Sequence, residues 1–410
     1  MKVFLRTYGC RANQYDSEQV RALVESAGGV IVENPADADA AVFNSCAVTA
    51  EAEAEVRKGI RSAARSNASL RTVVMGCAAA LDHGQLAALP TVADVIPGGD
   101  AFGVATSLGL TPTAGAFAQV QNGTRALLRI QEGCDEHCTF CATTVARGSN
   151  RSRTVEALVD EARRLAERHP EIVLTGIHIG TWGRDIGQTL GSLVQRLVRD
   201  VPLARFRLSS VEASEVDGAL RELFGQPERL APHLHAPLQS GSDRILKRMG
   251  RHWYTKLSYG HAVEHIVKDH PVFGLGADVI AGFPGESEDD HRETLEFVGS
   301  LPFTYLHVFP YSARPGTAAT RLPGQVNGTI VRRRAAELRA VGEALAEAYR
   351  AKRIGGTADL VVVRSDRPEG LTEDYLPVDV DGPRLPRGTR LTARLSHRQD
   401  RLIATPTSRP

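Results

Sequence analysis

Cysteine is scarce in this chain: six in 410 residues. That is too few for a disulfide-stapled scaffold, so cysteines at isolated positions point instead to metal binding or catalysis. Long apolar runs are lacking as well. No stretch reaches the roughly 18 apolar residues that a membrane span needs. The opening MKVFLRTYGC holds too short an apolar run for a secretory leader, so the expected location is the cytoplasm, away from membranes. Charge of one sign is also missing, since 49 Lys and Arg face 48 Asp and Glu for a net of +1. Net charge therefore says nothing about partners as a whole, and any basic surface must be local. Neither an internal repeat nor a low-complexity segment is present. What remains is a globular composition, 42% hydrophobic and 24% charged, long enough for two or three domains.

Periodicity divides the chain in three. In residues 1–110, KVFLRTY, AAVFNS, TVVMG and VADVI read as strands, separated by helical patterns such as SEQVRALVESAG and EAEAEVRKGIRSAARS. Strands alternating with helices predict a parallel α/β domain. The Pro-, Gly- and Thr-containing stretch 109–124 reads as a linker. From 120 to 350 the alternation resumes with RALLRI, EIVLTG, RFRLSS, HLHAPL, GLGADVIAGF and YLHVFP. Six such repeats are two short of a full eight-fold barrel, which predicts an open (βα)6 barrel closed by the long helical pattern VRRRAAELRAVGEALAEAYRAKR. Residues 352–410 carry only short β runs and predict a small β-barrel of OB-like size.

Cys134, Cys138 and Cys141 lie in the Cys-x3-Cys-x2-Cys spacing of GCDEHCTFC, directly after the first barrel strand. That is the end of the strand where barrel enzymes place their chemistry. Three thiolates in so short a loop suit three corners of a cubane iron–sulfur cluster, with the fourth iron open. The alternatives at this point are zinc with His137 or a distant histidine as fourth ligand, or a redox pair formed by Cys138 and Cys141. Cys10, Cys46 and Cys77 each follow a strand of the first domain, in TYGC, FNSC and VMGC. Parallel strands share one C-terminal edge, so these three thiols point to a second cluster. Three buried cysteines acting as small hydrophobes are the alternative.

The motifs YGCRANQYDSE, FNSCAVTAEAE, MGCAA, GCDEHCTFC, HLHAPLQSGSDRILKRMGR, ADVIAGFPGE and HVFPYSARPGT span nearly the whole chain. Together the sequence resembles the methylthiotransferases of the radical S-adenosylmethionine superfamily. NQYDSE and HVFPYSARPGT look most like the branch acting on N6-threonylcarbamoyladenosine of tRNA. One departure stands out: the family usually carries proline shortly after the third cluster cysteine, where this chain has Thr143 and Thr144. The resemblance implies two 4Fe–4S clusters, S-adenosyl-L-methionine as radical source and methyl donor, and a C-terminal TRAM-like β-barrel. It also implies a tRNA anticodon-loop substrate, converted from t6A to ms2t6A at position 37, and an external electron donor. A monomer is expected. Methylthiolation of isopentenyladenosine tRNA, or of a ribosomal-protein aspartate, stays open, as does a cluster-bearing RNA binder without catalysis.

All six cysteines are thus candidate catalytic residues and metal ligands. Candidate cofactor contacts are Phe140 within the last cysteine pair and, at strand ends, Gly176, Gly180, Glu212, Gln239 and Gly282. Gly285 and Ser240 lie beside them. Arg147 and Arg153 are placed to hold a cofactor carboxylate or an RNA phosphate. Arg332, Arg333 and Arg334 and the arginines of the tail are candidates for local positive charge.

Overall fold

The computed structural model describes residues 1–111, 121–399 and 401–407. Of the linker expected over 109–124, the stretch 112–120 lies outside the described residues. The chain divides into two compact units, 1–122 with 131–151 and 312–320, and 123–130 with 152–311 and 321–410.

The first unit holds a five-stranded sheet of β1 (Lys2–Thr7), β2 (Val30–Val32), β3 (Ala40–Ser45), β4 (Arg71–Gly76) and β5 (Val92–Pro97). Its order is β2-β1-β3-β4-β5 and every pairing is parallel. All six residues of β3 are buried, as expected for a central strand covered on both faces. Between the strands run α1 (Arg11–Ser26), α2 (Ala50–Ser66), α3 (Cys77–Ala80) and α4 (Ala101–Ser107). Phe43 and Val74 meet Val56 and Ile60 of α2 on one face, and Val42 and Val73 meet Val20, Leu23 and Val104 on the other. Thr49 starts α2 by accepting the Ala52 N–H at 3.1 Å, a side-chain N-cap.

In the second unit six parallel strands follow one another in space as in sequence. The first group is β6 (Ala126–Arg129), which precedes the two-residue strands β7 (Gln131–Glu132) and β8 (Arg151–Ser152), then β9 (Glu171–Thr175) and β10 (Arg205–Leu208). β6, β9 and β10 form one ladder; β11 (His233–His235), β12 (Gly274–Ala281) and β13 (Tyr305–Pro310) form the next. Parallel bridges from Phe206 to Leu230 and from Ser210 to His235 join the two. Helices α6 (Val155–Ala166), α7 (Leu190–Asp200), α8 (Gly218–Phe224), α9 (Asp243–Arg248), α10 (Lys256–Val267) and α11 (Glu288–Ser300) lie between the strands, α5 (Thr143–Arg147) belonging to the cysteine loop. The predicted open six-fold barrel is what the chain forms. The expected long helix is α12 (Gly328–Arg353), whose Ala335 and Leu338 enter the barrel core.

The tail forms a closed five-stranded barrel from β14 (Thr357–Arg364), β15 (Glu369–Thr372), β16 (Pro377–Val380), β17 (Arg390–Arg398) and β18 (Arg401–Pro406). It has its own core, including Leu360, Val378, Leu395 and Leu402. The barrel also seats its 372–376 turn against the N-terminal ends of the open-barrel strands. Tyr375 stacks on His233 with ring centroids 4.4 Å apart. Arg207 donates to the Glu373 and Thr372 carbonyls, each at 3.0 Å.

Candidate active site

β1, β3 and β4 are neighbours, so the loops that follow them share one sheet edge. Cys10 precedes the first turn of α1, Cys46 follows β3, and Cys77 opens α3. Two glycines permit the close approach. Gly9 has φ +95° and a Cβ there would fall 2.7 Å from Cys46 Sγ; Gly76 has φ +99° and its Cβ would fall 2.4 Å from the Ser45 carbonyl oxygen. Only glycine meets both demands at once. Buried Asn13 ties the loops together, its Nδ2 donating to Tyr8 O at 2.8 Å and Ser45 O at 2.9 Å. Its Oδ1 lies 3.8 Å from Cys77 Sγ.

Burial pushes the Cys77 thiol up to about 11, against the pull of Arg147, and the Cys10 and Cys46 sulfurs raise it further. Burial likewise raises Cys46, with the Val48 N–H, 3.4 Å from its sulfur, opposing and Cys10 reinforcing. Thiols that repel one another's ionisation are a set that a bound cation would relieve, since metal binding displaces their protons.

The second triad occupies the loop 133–142 of the same unit, and all six cysteines are free thiols. The loop is pinned at its start by Cys134 N–H donating to Gly148 O at 3.0 Å, and at its end by Cys141 N–H to Cys138 O at 3.1 Å. Thr143 sets its N–H 3.3 Å and its hydroxyl 2.9 Å from Cys141 Sγ. Half-buried Phe140 sits between Cys138 and Cys141. Beside Cys141 a cavity of about 380 Å³ is lined by Leu81, Val145, Arg314 and Pro315.

Among the described residues, three-membered His, Cys, Asp and Glu groups with ligand atoms all within 4.8 Å are His235–Asp278–His307 and His178–Glu212–Glu215.

The sequence places Arg147 at a cofactor carboxylate or an RNA phosphate; the structure buries it instead. Its side chain is 1% exposed and ion-paired to Asp16 at 2.8 Å and Glu132 at 3.2 Å. Its Nη2 donates to Asn13 Oδ1 at 2.6 Å and its Nε to Cys77 Sγ at 3.2 Å. Burial opposes the charge, but Asp16, Cys77 and Glu132 together raise the guanidinium pKa above its ordinary value. Arg314, from HVFPYSARPGT, is also buried, paired with Glu53 and close enough to Cys46 to feel its charge. Asn13, Asp16 and the Arg147 contacts were missed by sequence reasoning; the only trace was the NQYD of the first motif.

In the second unit the other candidates stand at C-terminal strand ends. Gly176 follows β9. Gly180 lies against Glu215, whose Oε2 would be 1.8 Å from a Cβ there. Both Glu212 carboxylate oxygens are engaged, one by Arg251 and one by Trp253. Gln239 follows β11 in a left-handed conformation, φ +68°. Gly282, with φ +77°, gives its N–H to Glu286 at 2.7 Å and leaves room for Val331 of α12. Ser240 Oγ accepts the Ser242 N–H at 3.2 Å, and Gly285 has φ +86°. Arg153 is paired with Glu161 at 2.7 Å. The expected Arg332–Arg334 cluster is largely neutralised: Arg334 is buried on Glu286 and Glu288, and Arg333 pairs with Glu288 and Glu337.

Comparison with known proteins agrees with this arrangement. Residues 2–98 match the profile described as "Uncharacterized protein family UPF0004", and 128–298 match the radical SAM superfamily. The chain is 34% identical to the threonylcarbamoyladenosine tRNA methylthiotransferase MtaB of Aquifex aeolicus, covering 93% of this chain and 97% of that protein. It is 30% identical to the tRNA-2-methylthio-N(6)-dimethylallyladenosine synthase of Bartonella bacilliformis, covering 97% and 94%. In fold it is similar to the radical S-adenosylmethionine methyltransferase TsrM of Kitasatospora setae, with TM-score 0.58, 15% identity, and 78% and 76% of the two chains covered. A 4Fe–4S cluster and S-adenosylmethionine go with the radical SAM fold. With two cysteine triads in one unit and relatives matched along almost its whole length, the chain belongs to the radical S-adenosylmethionine methylthiotransferase family.

Proposed function

We propose that this enzyme acts in the cytoplasm on tRNA, replacing the C2 hydrogen of N6-threonylcarbamoyladenosine at position 37 by a methylthio group. The observation that carries the reading is the pair of three-thiol sets within one compact unit, joined through Arg147. The choice of nucleoside is supported by relatives named for threonylcarbamoyladenosine at 34% identity, against 30% for those named for dimethylallyladenosine.

Cys134, Cys138 and Cys141 would hold one 4Fe–4S cluster, and Cys10, Cys46 and Cys77 a second, each with one iron free of protein ligands. When bound, the first group supplies an electron that makes a carbon radical from S-adenosylmethionine, and the second supplies sulfur. An aromatic C–H is beyond side-chain acid–base chemistry at neutral pH, so the protein's own work is placement. Asn13 and the turns at Gly9 and Gly76 hold three thiols at one edge before any metal arrives. Electrons come from an external donor. Outward-facing Arg394 and Arg398 of β17 offer the phosphate contacts that RNA binding needs.

Mass spectrometry of tRNA nucleosides from cells with and without the gene tests the assignment. Deletion should abolish ms2t6A and leave t6A in its place. Loss of the methylthio-isopentenyl nucleoside instead, or unchanged tRNA, would overturn it.

A further inference from the structure

Arg147 is carried by the loop of one cysteine triad, yet its side chain is spent on the other. It stands six positions after Cys141, and its Nε points at Cys77 Sγ from 3.2 Å. The same guanidinium reaches Asn13, the residue that bonds to the backbone before Cys10 and before Cys46. Asp16, on α1 and wholly buried, is ion-paired with Nη1 at 2.8 Å, and Glu132 accepts a hydrogen bond from it at 3.2 Å. A buried cation is tolerable only when so paired, so the carboxylates fix where the N–H groups aim.

We propose that Arg147 is a positioning residue for the iron–sulfur group at Cys10, Cys46 and Cys77, donating an N–H to the Cys77 sulfur and thereby raising that group's reduction potential. This rests on reading those cysteines as a cluster site. Hydrogen bonds and positive charge at a ligating sulfur favour the more negative, reduced form. A planar guanidinium serves Cys77, Asn13, Asp16 and Glu132 together. A lysine ammonium has three donors and no fork to span them. The bond also couples the triads: a displaced 131–151 loop withdraws the donor from Cys77.

The test uses the full-length chain with Cys134, Cys138 and Cys141 all changed to Ala, so that any cluster signal belongs to the other site. After anaerobic reconstitution, iron and sulfide content, the electron paramagnetic resonance spectrum of the reduced state and its midpoint potential are measured. Arg147→Lys and the double change Arg147→Gln with Asp16→Asn are compared with that parent. The double change removes both buried charges, so it guards against loss of fold. Both variants should keep the parent's iron but show an altered spectrum and about a tenfold lower reduced-to-oxidised ratio at a given potential, or about 59 mV for one electron. Unchanged spectrum and potential at full iron content would refute the role of Arg147 while leaving the cluster reading intact. A parent without iron would bring down the cluster reading itself, and this inference with it.

Discussion

Glu171 Oε1 accepts from Arg207 Nε at 2.7 Å, and both side chains are fully buried. The other oxygen, Oε2, accepts from Arg205 Nε at 2.7 Å, and Arg125 lies 3.5 Å from Oε1. Glu171 begins β9 while Arg205 and Arg207 lie on β10, so the pairing sits at the N-terminal floor of the open barrel. The tail barrel closes that floor, with Asp359 O accepting from Arg205 at 3.1 Å.

Changing Glu171 to Gln should destabilise the second unit by roughly 3–5 kcal/mol, because it leaves buried guanidiniums uncompensated. Burial alone would raise the Glu171 carboxyl, but Arg207, Arg205 and Arg125 hold it well below the ordinary carboxylate range. A depressed folded pKa gives stability that is fully present above about 4.5 and lost as pH falls through the folded value. Urea unfolding at pH 7 and pH 3 should therefore separate the two proteins widely at pH 7 and less in acid. Equal stability at pH 7 would refute this account of the floor.

Glu373 behaves in the opposite sense. Burial first, then Asp374, pushes its carboxyl up to about 7, with Arg353 opposing. A raised folded pKa means its contribution is whole below the unfolded value near 4.5 and disappears as pH rises through 7. Thermal melts between pH 5 and pH 8 should show this loss in the parent, and Glu373→Gln should flatten it. A variant with the parent's pH profile would assign the dependence elsewhere.

Removing the chain from Gly355 onward should destabilise the second unit as well as weaken tRNA binding, since it strips the partners of Arg205, Arg207 and Arg353. Charge reversal on the outer face is the cleaner probe. Arg394→Glu with Arg398→Glu should leave melting nearly unchanged and weaken tRNA binding. The log–log salt slope of binding should fall by roughly 0.7–0.9 for each phosphate no longer neutralised. Undiminished affinity would remove the tail barrel from RNA capture.

Replacing Cys10, Cys46 and Cys77 with Ala should preserve measurable 5′-deoxyadenosine formation and end methylthiolation of tRNA. Replacing Cys134, Cys138 and Cys141 should abolish both. Each triple variant should bind about four irons where the parent binds about eight, as two cubanes require. Methylthiolated nucleoside from the first variant would return its three cysteines to a structural role.

Much of this protein was legible because its strands announce themselves locally. AAVFNS and TVVMG are short apolar runs ending at Cys46 and Cys77, and parallel pairing brings such ends to one edge whatever lies between them. The six barrel strands and α12 follow from the same periodicity. Edge strand β2 was missed: Val30–Val32 is only three residues long and carries no alternation to detect. Tertiary structure alone decided the rest. Arg147 looked like a free cation in RGSNRSR until folding laid it on Asn13 and Cys77, and Arg207 meets Glu373 across a sequence separation of 166. Strand patterns are written in neighbouring residues. A buried guanidinium's partners are set by where whole elements dock, and no local spacing encodes that.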